Sequence, residues 1–158
     1  MKEEILLNHL RQNPFVLAPM AGITDRPFRS FMRELGCGVV VTELVSATGL
    51  KYSSDKTRKL MEFESAQHPV GVQLFGENFE HLAYAASEVE QIGADFVDLN
   101  FGCPVPKVVN KGAGSACLKD LVRLRDTIRA AKSGISIPLT IKVRTGWDHE
   151  SRNTHQVT

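Results

Sequence analysis

Five short apolar runs alternate with longer stretches in which apolar residues recur every three or four positions. The runs cover 15–19, 38–43, 69–75, 96–100 and 138–143. They are rich in Val, Ile and Leu, a pattern that predicts buried strands of a parallel sheet. Between the first two, 25–35 reads as a helix that Thr24 or Asp25 can cap, with Pro27 in its first turn and Gly36 after its end. Between the third and fourth, Phe79, Leu82, Ala83, Ala86 and Val89 form one stripe over 79–92, opened by Asn78 and ended by Gly93. After the fourth, Leu121, Leu124, Ile128 and Ala131 form another, opened by Asp120 and closed by Gly134. The segment 53–61 reads as a further short helix. This β-α-β-α rhythm implies right-handed crossovers within one sheet.

A doubly wound open sheet and a (β/α)8 barrel both fit such a rhythm. No G-x-G-x-x-G follows any of the runs, and no Walker A sequence is present. Polar residues instead stand at period two within the runs: Gln73 in the third, Asp98 and Asn100 in the fourth, Thr140, Lys142 and Arg144 in the fifth. Polar side chains at the C-terminal ends of several strands suit a barrel mouth. The fold class expected is therefore α/β, a partial TIM barrel of about five parallel strands with helices between them. A complete barrel takes about 250 residues, so residues 1–158 read as the front part of a larger one. Such a piece would carry two bare strand edges and an uncovered apolar face, with self-association through those edges as one way to bury them.

Composition changes this picture little. With 19 basic and 18 acidic side chains the formal charge is +1, which argues neither for nor against a nucleic-acid partner. Cys37, Cys103 and Cys117 form no C-x-x-C pair and no metal-spaced cluster, so no metal site is expected. An odd thiol count without a secretory signal favours a cytoplasmic setting. Residues 1–13 mix Lys2, Glu3, Glu4 and Arg11 with Ile5, Leu6, Leu7 and Leu10, unlike a signal peptide or a membrane span.

The most chemically informative stretch is Asn100-Phe101-Gly102-Cys103-Pro104. Gly102 lets the backbone turn sharply and Pro104 stops regular structure, which sets Cys103 on a stiff turn past a strand end. Together with Leu17-Ala-Pro-Met-Ala-Gly-Ile-Thr-Asp25, Val72-Gln-Leu-Phe-Gly76, Lys111-Gly-Ala-Gly-Ser-Ala116 and Ile141-Lys-Val-Arg-Thr-Gly146, it closely resembles the tRNA-dihydrouridine synthases, the bacterial B-type subgroup in particular. The likeness runs in family order and spacing from about Phe15 to about Trp147.

The resemblance implies an FMN-dependent TIM-barrel enzyme, with a C-terminal helical domain that helps bind tRNA. Such enzymes reduce the C5–C6 double bond of selected uridines and recharge the flavin with NADPH. It further implies that Pro19, Met20 and Ala21 lie against the flavin, that Gln73 hydrogen-bonds its ring, and that Lys142 stands near the ring's pyrimidine edge. Asn100 would sit at the flavin and substrate face, and Cys103 would be the catalytic acid. The family's later elements, a histidine beyond the fifth strand and the glycine-rich turns that hold the FMN phosphate, are expected outside residues 1–158. The chain by itself is accordingly expected to be inactive.

Chemistry supports these roles. Reducing the uracil double bond takes a hydride and a proton, and the proton needs an acid still protonated at neutral pH. A thiol, ordinarily titrating near ~8.5, qualifies. A nucleophilic cysteine would want a histidine base, and no His lies near Cys103 in sequence. Lys142 falls between Ile141 and Val143 in a run expected to be buried, where an anionic ligand would offset its desolvation. Gln73 suits a flavin edge, or is a side chain satisfied by its own backbone neighbours. Arg144 can pair with Glu43, Asp98 or substrate.

Lys107 and Lys111 are placed to meet phosphates beside an unstacked uridine. Gly112-Ala113-Gly114 reads as an anion-binding loop or a flexible connection. Lys51, Lys56, Arg58 and Lys59 form a second basic cluster, or a solvated helix face. Two other readings stay open: an FMN barrel acting on a free pyrimidine, of dihydroorotate dehydrogenase type, and a catalytically inactive half-barrel serving as an interaction module.

Overall fold

The structure is a computed structural model that describes residues 2–157. Met1 and Thr158, the ends of the domain expected from the sequence, lie outside the described residues. The strands are β1 (Val16–Leu17), β2 (Val39–Val41), β3 (Val45–Ser46), β4 (Val70–Phe75), β5 (Phe96–Phe101) and β6 (Leu139–Val143). The α-helices are α1 (Lys2–Gln12), α2 (Arg26–Glu34), α3 (Ala47–Lys51), α4 (Asp55–Lys59), α5 (Phe79–Gln91), α6 (Pro106–Val109), α7 (Leu121–Lys132) and α8 (Thr154–Val157). Asp25, Asn78 and Asp120 cap α2, α5 and α7, each accepting a backbone N–H at 3.0 Å from Phe28, His81 and Arg123.

Neighbouring strands run β1-β2-β4-β5-β6, and every pair is parallel. Each strand adds on the same side of the one before. A doubly wound sheet reverses direction once, and this one never does. It curls into a half-barrel with helices outside, as a partial TIM barrel should.

Alternation along the strands sorts the side chains onto two faces. Outward, Leu17, Val40 and Val70 pack on Phe28 and Met32 of α2. Also outward, Val72, Leu74, Val97 and Leu99 form the main core with Leu82, Ala86 and Val89 of α5 and Leu124 and Ala131 of α7. Each fully buried Val or Leu among them contributes about 1.5–3 kcal/mol by leaving water. Inward, at the N-terminal end of the sheet, Val39, Val41 and Phe96 are covered by Leu6 and Leu10 of α1. Gly71 belongs to this layer: a Cβ there would lie 2.2 Å from the Phe96 ring.

Three features depart from the expectations. Residues 2–12 form a helix, whose Leu6–Leu10 stripe covers part of the inner face expected to be bare. The second run is interrupted. Val45 lies four positions after Val41, whereas their partners Gly71 and Leu74 are three apart, so the edge carries one extra residue, as in a bulge. The Thr42 hydroxyl fills the gap by accepting from the Gln73 N–H at 3.2 Å. The fifth run, finally, is not buried. β6 is the last strand of the sheet among the described residues, no strand pairs with its far side there, and Lys142 on it is exposed.

Candidate active site

At the C-terminal end of the sheet the inner face turns polar. Register sets Gln73 of β4 opposite Asp98 of β5, Asp98 opposite Thr140 of β6, and Asn100 opposite Lys142. A chain of hydrogen bonds follows. Gln73 Nε2 donates to Asp98 Oδ2 at 2.7 Å, and Asn100 Nδ2 donates to Gln73 Oε1 at 2.8 Å. Asn100 Oδ1 accepts the backbone N–H groups of Gly102 at 3.1 Å and Cys103 at 2.8 Å. Thr140 Oγ1 donates to the other Asp98 oxygen at 2.6 Å. Burial pushes the Asp98 carboxyl above its ordinary range, opposed by the Thr140 and Gln73 hydrogen bonds and by the charge of Lys142.

The Cys103 turn is held from three further directions. Arg144 Nε donates to the Gly102 carbonyl at 2.6 Å. The Cys103 carbonyl accepts from both the N–H and the hydroxyl of Ser115, each at 3.0 Å. Gly114, at φ +60°, lets this loop close in, since a Cβ there would lie 2.6 Å from the Cys103 oxygen. The backbone of Cys103 is thus fixed at both its N–H and its C=O. Its half-buried Sγ makes no hydrogen bond among the described residues.

The loop after β1 forms another part of the rim. Met20 and Ala21 are exposed, in a turn where the Thr24 hydroxyl accepts from the Met20 N–H at 2.9 Å. The bulge residue Glu43 accepts the Gly22 N–H. Arg29, 1% exposed, fastens the loop from behind, donating to Thr24 O at 2.7 Å, Glu62 O at 2.6 Å and Gln67 Oε1 at 3.2 Å. A cleft of about 320 Å³ opens on the inner face, lined by Ala18, Pro19, Asp98, Thr140 and Lys142 above Leu6 and Leu10. A larger one of about 670 Å³ lies outside the barrel among Arg26, Arg58, Glu62 and Ile92. There Arg26 is paired with Glu62, and Arg58 with Glu88, while Asp55 and Lys59 on the same wall form no ion pair among the described residues.

Residues 16–158 match the family model described as dihydrouridine synthase (Dus). The chain belongs to the dihydrouridine synthase family. It is 43% identical over 141 residues to tRNA-dihydrouridine synthase B of Pseudomonas syringae pv. tomato, an alignment covering 89% of this chain and 42% of that protein. The protein of the same name from Pseudomonas aeruginosa gives the same figures. That of Vibrio parahaemolyticus is 36% identical over 150 residues, 95% of this chain and 47% of the relative. The chain therefore spans less than half the length of these curated relatives.

Within this dihydrouridine synthase half-barrel, Gln73, Asn100, Cys103 and Arg144 lie in one connected set of hydrogen bonds, with Lys142 across from Asn100. Pro19 reaches the cleft, while Met20 and Ala21 join the set only through the Glu43–Gly22 contact on their loop. Gln73 is 1% exposed with both ends of its amide engaged. Lys142 is exposed, so the burial argument for its role fails. Its ammonium nonetheless makes no hydrogen bond or ion pair among the described residues. Arg144 spends its Nε on the Gly102 carbonyl rather than on Glu43 or Asp98.

Lys107 and Lys111 are exposed and carry no ion pair among the described residues. The N–H groups of Gly112, Ala113, Ser115 and Ala116 are all spent on carbonyls, so the glycine stretch packs against the cysteine turn instead of cradling an anion. Sequence reasoning missed the roles of Asp98, Thr140, Ser115 and Glu43. Period two already placed Asp98 and Thr140 on the same face as the other site residues, whereas Ser115 and Glu43 act through loop contacts that leave no periodic signal.

Proposed function

We propose that this chain is the catalytic N-terminal part of a tRNA-dihydrouridine synthase, in which Cys103 protonates C5 of a uridine in tRNA as its C5–C6 double bond is reduced. One observation carries this reading: an unpartnered thiol on a turn fixed at four backbone atoms, adjoining the polar end of a barrel wall. A group held that firmly, yet with no base bonded to its sulfur, is built to deliver a proton rather than to attack. The Sγ–H bond breaks as the C5–H bond forms, and the thiolate regains its proton from water.

The residues present fit the ring of FMN. Lys142 offers an uncommitted ammonium for the anionic edge of a reduced ring, and Gln73 Nε2 and Asn100 Nδ2 each retain one N–H beyond the bonds described above. Met20, Ala21 and Pro19 supply an apolar rim. FMN, recharged by NADPH, supplies the hydride when bound. Arg144, Lys107 and Lys111 would meet the phosphates of tRNA around the reacting uridine. A tRNA substrate would place the work in the cytoplasm. The unpaired edges of β1 and β6 belong to the same proposal as surfaces for self-association or for closure by further strands.

The experiment compares the full-length protein with Cys103→Ala in NADPH-driven reduction of unmodified tRNA. The variant should keep the flavin absorbance band and lose at least about a hundredfold in dihydrouridine formation. Undiminished turnover in the variant, or wild-type reduction of free uracil in preference to tRNA, would overturn the reading.

A further inference from the structure

We propose that Asp98 is a positioning residue, whose carboxylate anchors the Gln73–Asn100 relay and so holds the turn of Cys103 in place. The geometry leaves little freedom. Amide side chains can be turned end for end, and two fixed groups decide the sense here. At one end the backbone N–H groups of Gly102 and Cys103 can only donate, so Asn100 must present Oδ1 to them. Its Nδ2 then faces Gln73 Oε1, and Gln73 Nε2 must find an acceptor on its far side. The only side-chain acceptor it reaches among the described residues is Asp98 Oδ2. The second carboxylate oxygen takes the Thr140 hydroxyl, so nothing on the carboxylate turns away from the relay.

The cost of burial explains why a carboxylate is needed. Asp98 is 6% exposed, and an ion so placed is expensive unless both oxygens are bonded. A neutral amide there would cost less but could turn its own N–H toward Gln73 and let Gln73 flip. With Asn100 fixed by the backbone N–H groups, that flip would set Gln73 Nε2 against Asn100 Nδ2, two donors facing each other, and loosen the cysteine turn. With the carboxylate present, every hydrogen bond of the relay from Cys103 to Asp98 pairs one donor with one acceptor.

The inference rests on the proposed function only for its catalytic consequence, a lower kcat with an unchanged KM for tRNA. Its test needs neither flavin nor tRNA: amide hydrogen exchange at Gly102 and Cys103 in the full-length protein. Asp98→Leu removes the acceptor and should speed exchange at both amides by about tenfold, while Val72 and Leu74 in β4 exchange as before. Moving the charge one step along the relay, in the double variant D98N/Q73E, lets Glu at 73 accept from both Asn neighbours and should restore protection.

Wild-type exchange in D98L, or exchange in the double variant as fast as in D98L, would overturn the proposal. Should D98L fail to fold, Q73E alone against D98N/Q73E decides. Two facing carboxylates in Q73E should lose the protection and the added D98N should regain it, and equal exchange in the two refutes the relay. If wild type forms no dihydrouridine but the exchange pattern holds, the functional reading falls and the relay stands.

Discussion

Arg29 and Lys142 are both cations of the barrel wall, and the fold treats them in opposite ways. Arg29 lies in the outer layer, on α2, with donors directed at two carbonyls and the Gln67 amide oxygen. Burial pulls its pKa below the ordinary guanidinium range, opposed by Glu43 and Asp25. Lys142 lies on the inner face, exposed, and makes no hydrogen bond or ion pair among the described residues. The first cation is finished by the protein and can serve only the protein. The second is left for something else. The same division separates the two faces of the sheet, a closed apolar layer outside and an inner rim with donors to spare.

The largest expected effect would come from emptying the outer layer's one buried charge. Arg29→Met leaves the Thr24 and Glu62 carbonyls and Gln67 Oε1 without this donor, which should cost about 3 kcal/mol or more. The urea midpoint measures it. A loss below about 0.5 kcal/mol would mean that Arg29 is not the staple of the β1–α2 loop, and the contrast with Lys142 would lose its structural half.

Two thiols extend the comparison. Cys117 is in the closed layer, donating to the Gly112 carbonyl at 3.3 Å, and burial pushes its pKa from an ordinary 9.0 up to about 11. Because the folded thiol holds its proton longer than the unfolded one, its contribution is whole below pH 9 and falls as pH climbs toward 11. The loss should reach about 2–3 kcal/mol, read as a drop in urea midpoint across that window that Cys117→Ala removes. In the native protein an alkylating reagent should label Cys103 and spare Cys117. Labelling of both at equal rates would erase the distinction between rim and core.

How much of this was legible in the sequence follows the same line. Period two announced the polar face of the strands, and the caps at Asp25, Asn78 and Asp120 announced three helices, because both signals are local. The cysteine turn was legible because Pro104 ends regular structure in place, whereas Gly102 takes neither a positive φ nor a close approach. The interruption after Val41 was not, since a bulge is defined against a partner strand, here by the Thr42 hydroxyl accepting from Gln73. Nor was the exposure of Lys142, which depends on β6 having no neighbour beyond it, a property of the sheet and not of residues 138–143. The alternatives left open at Gly112-Ala113-Gly114 were decided by a contact across the loop, the Cys103 carbonyl on Ser115. Local patterns show what a segment can be, and long-range contacts choose among the options.

The smallest effect on stability should come from Lys142, and there the comparison is sharpest. With no acceptor to abandon, Lys142→Met should change the urea midpoint by no more than about 0.5 kcal/mol. Reduced FMN titrated anaerobically into the same variant should bind at least about tenfold more weakly, because the positive charge proposed to face its anionic ring edge is lost. A marked loss of stability would show that Lys142 already has a partner and belongs with Arg29. Unchanged stability with unchanged flavin affinity would show that its freedom is merely that of a surface lysine, and would move the flavin's anionic edge elsewhere on the rim. Only the split outcome, silent in folding and loud in binding, agrees with a charge that the fold holds ready and does not use.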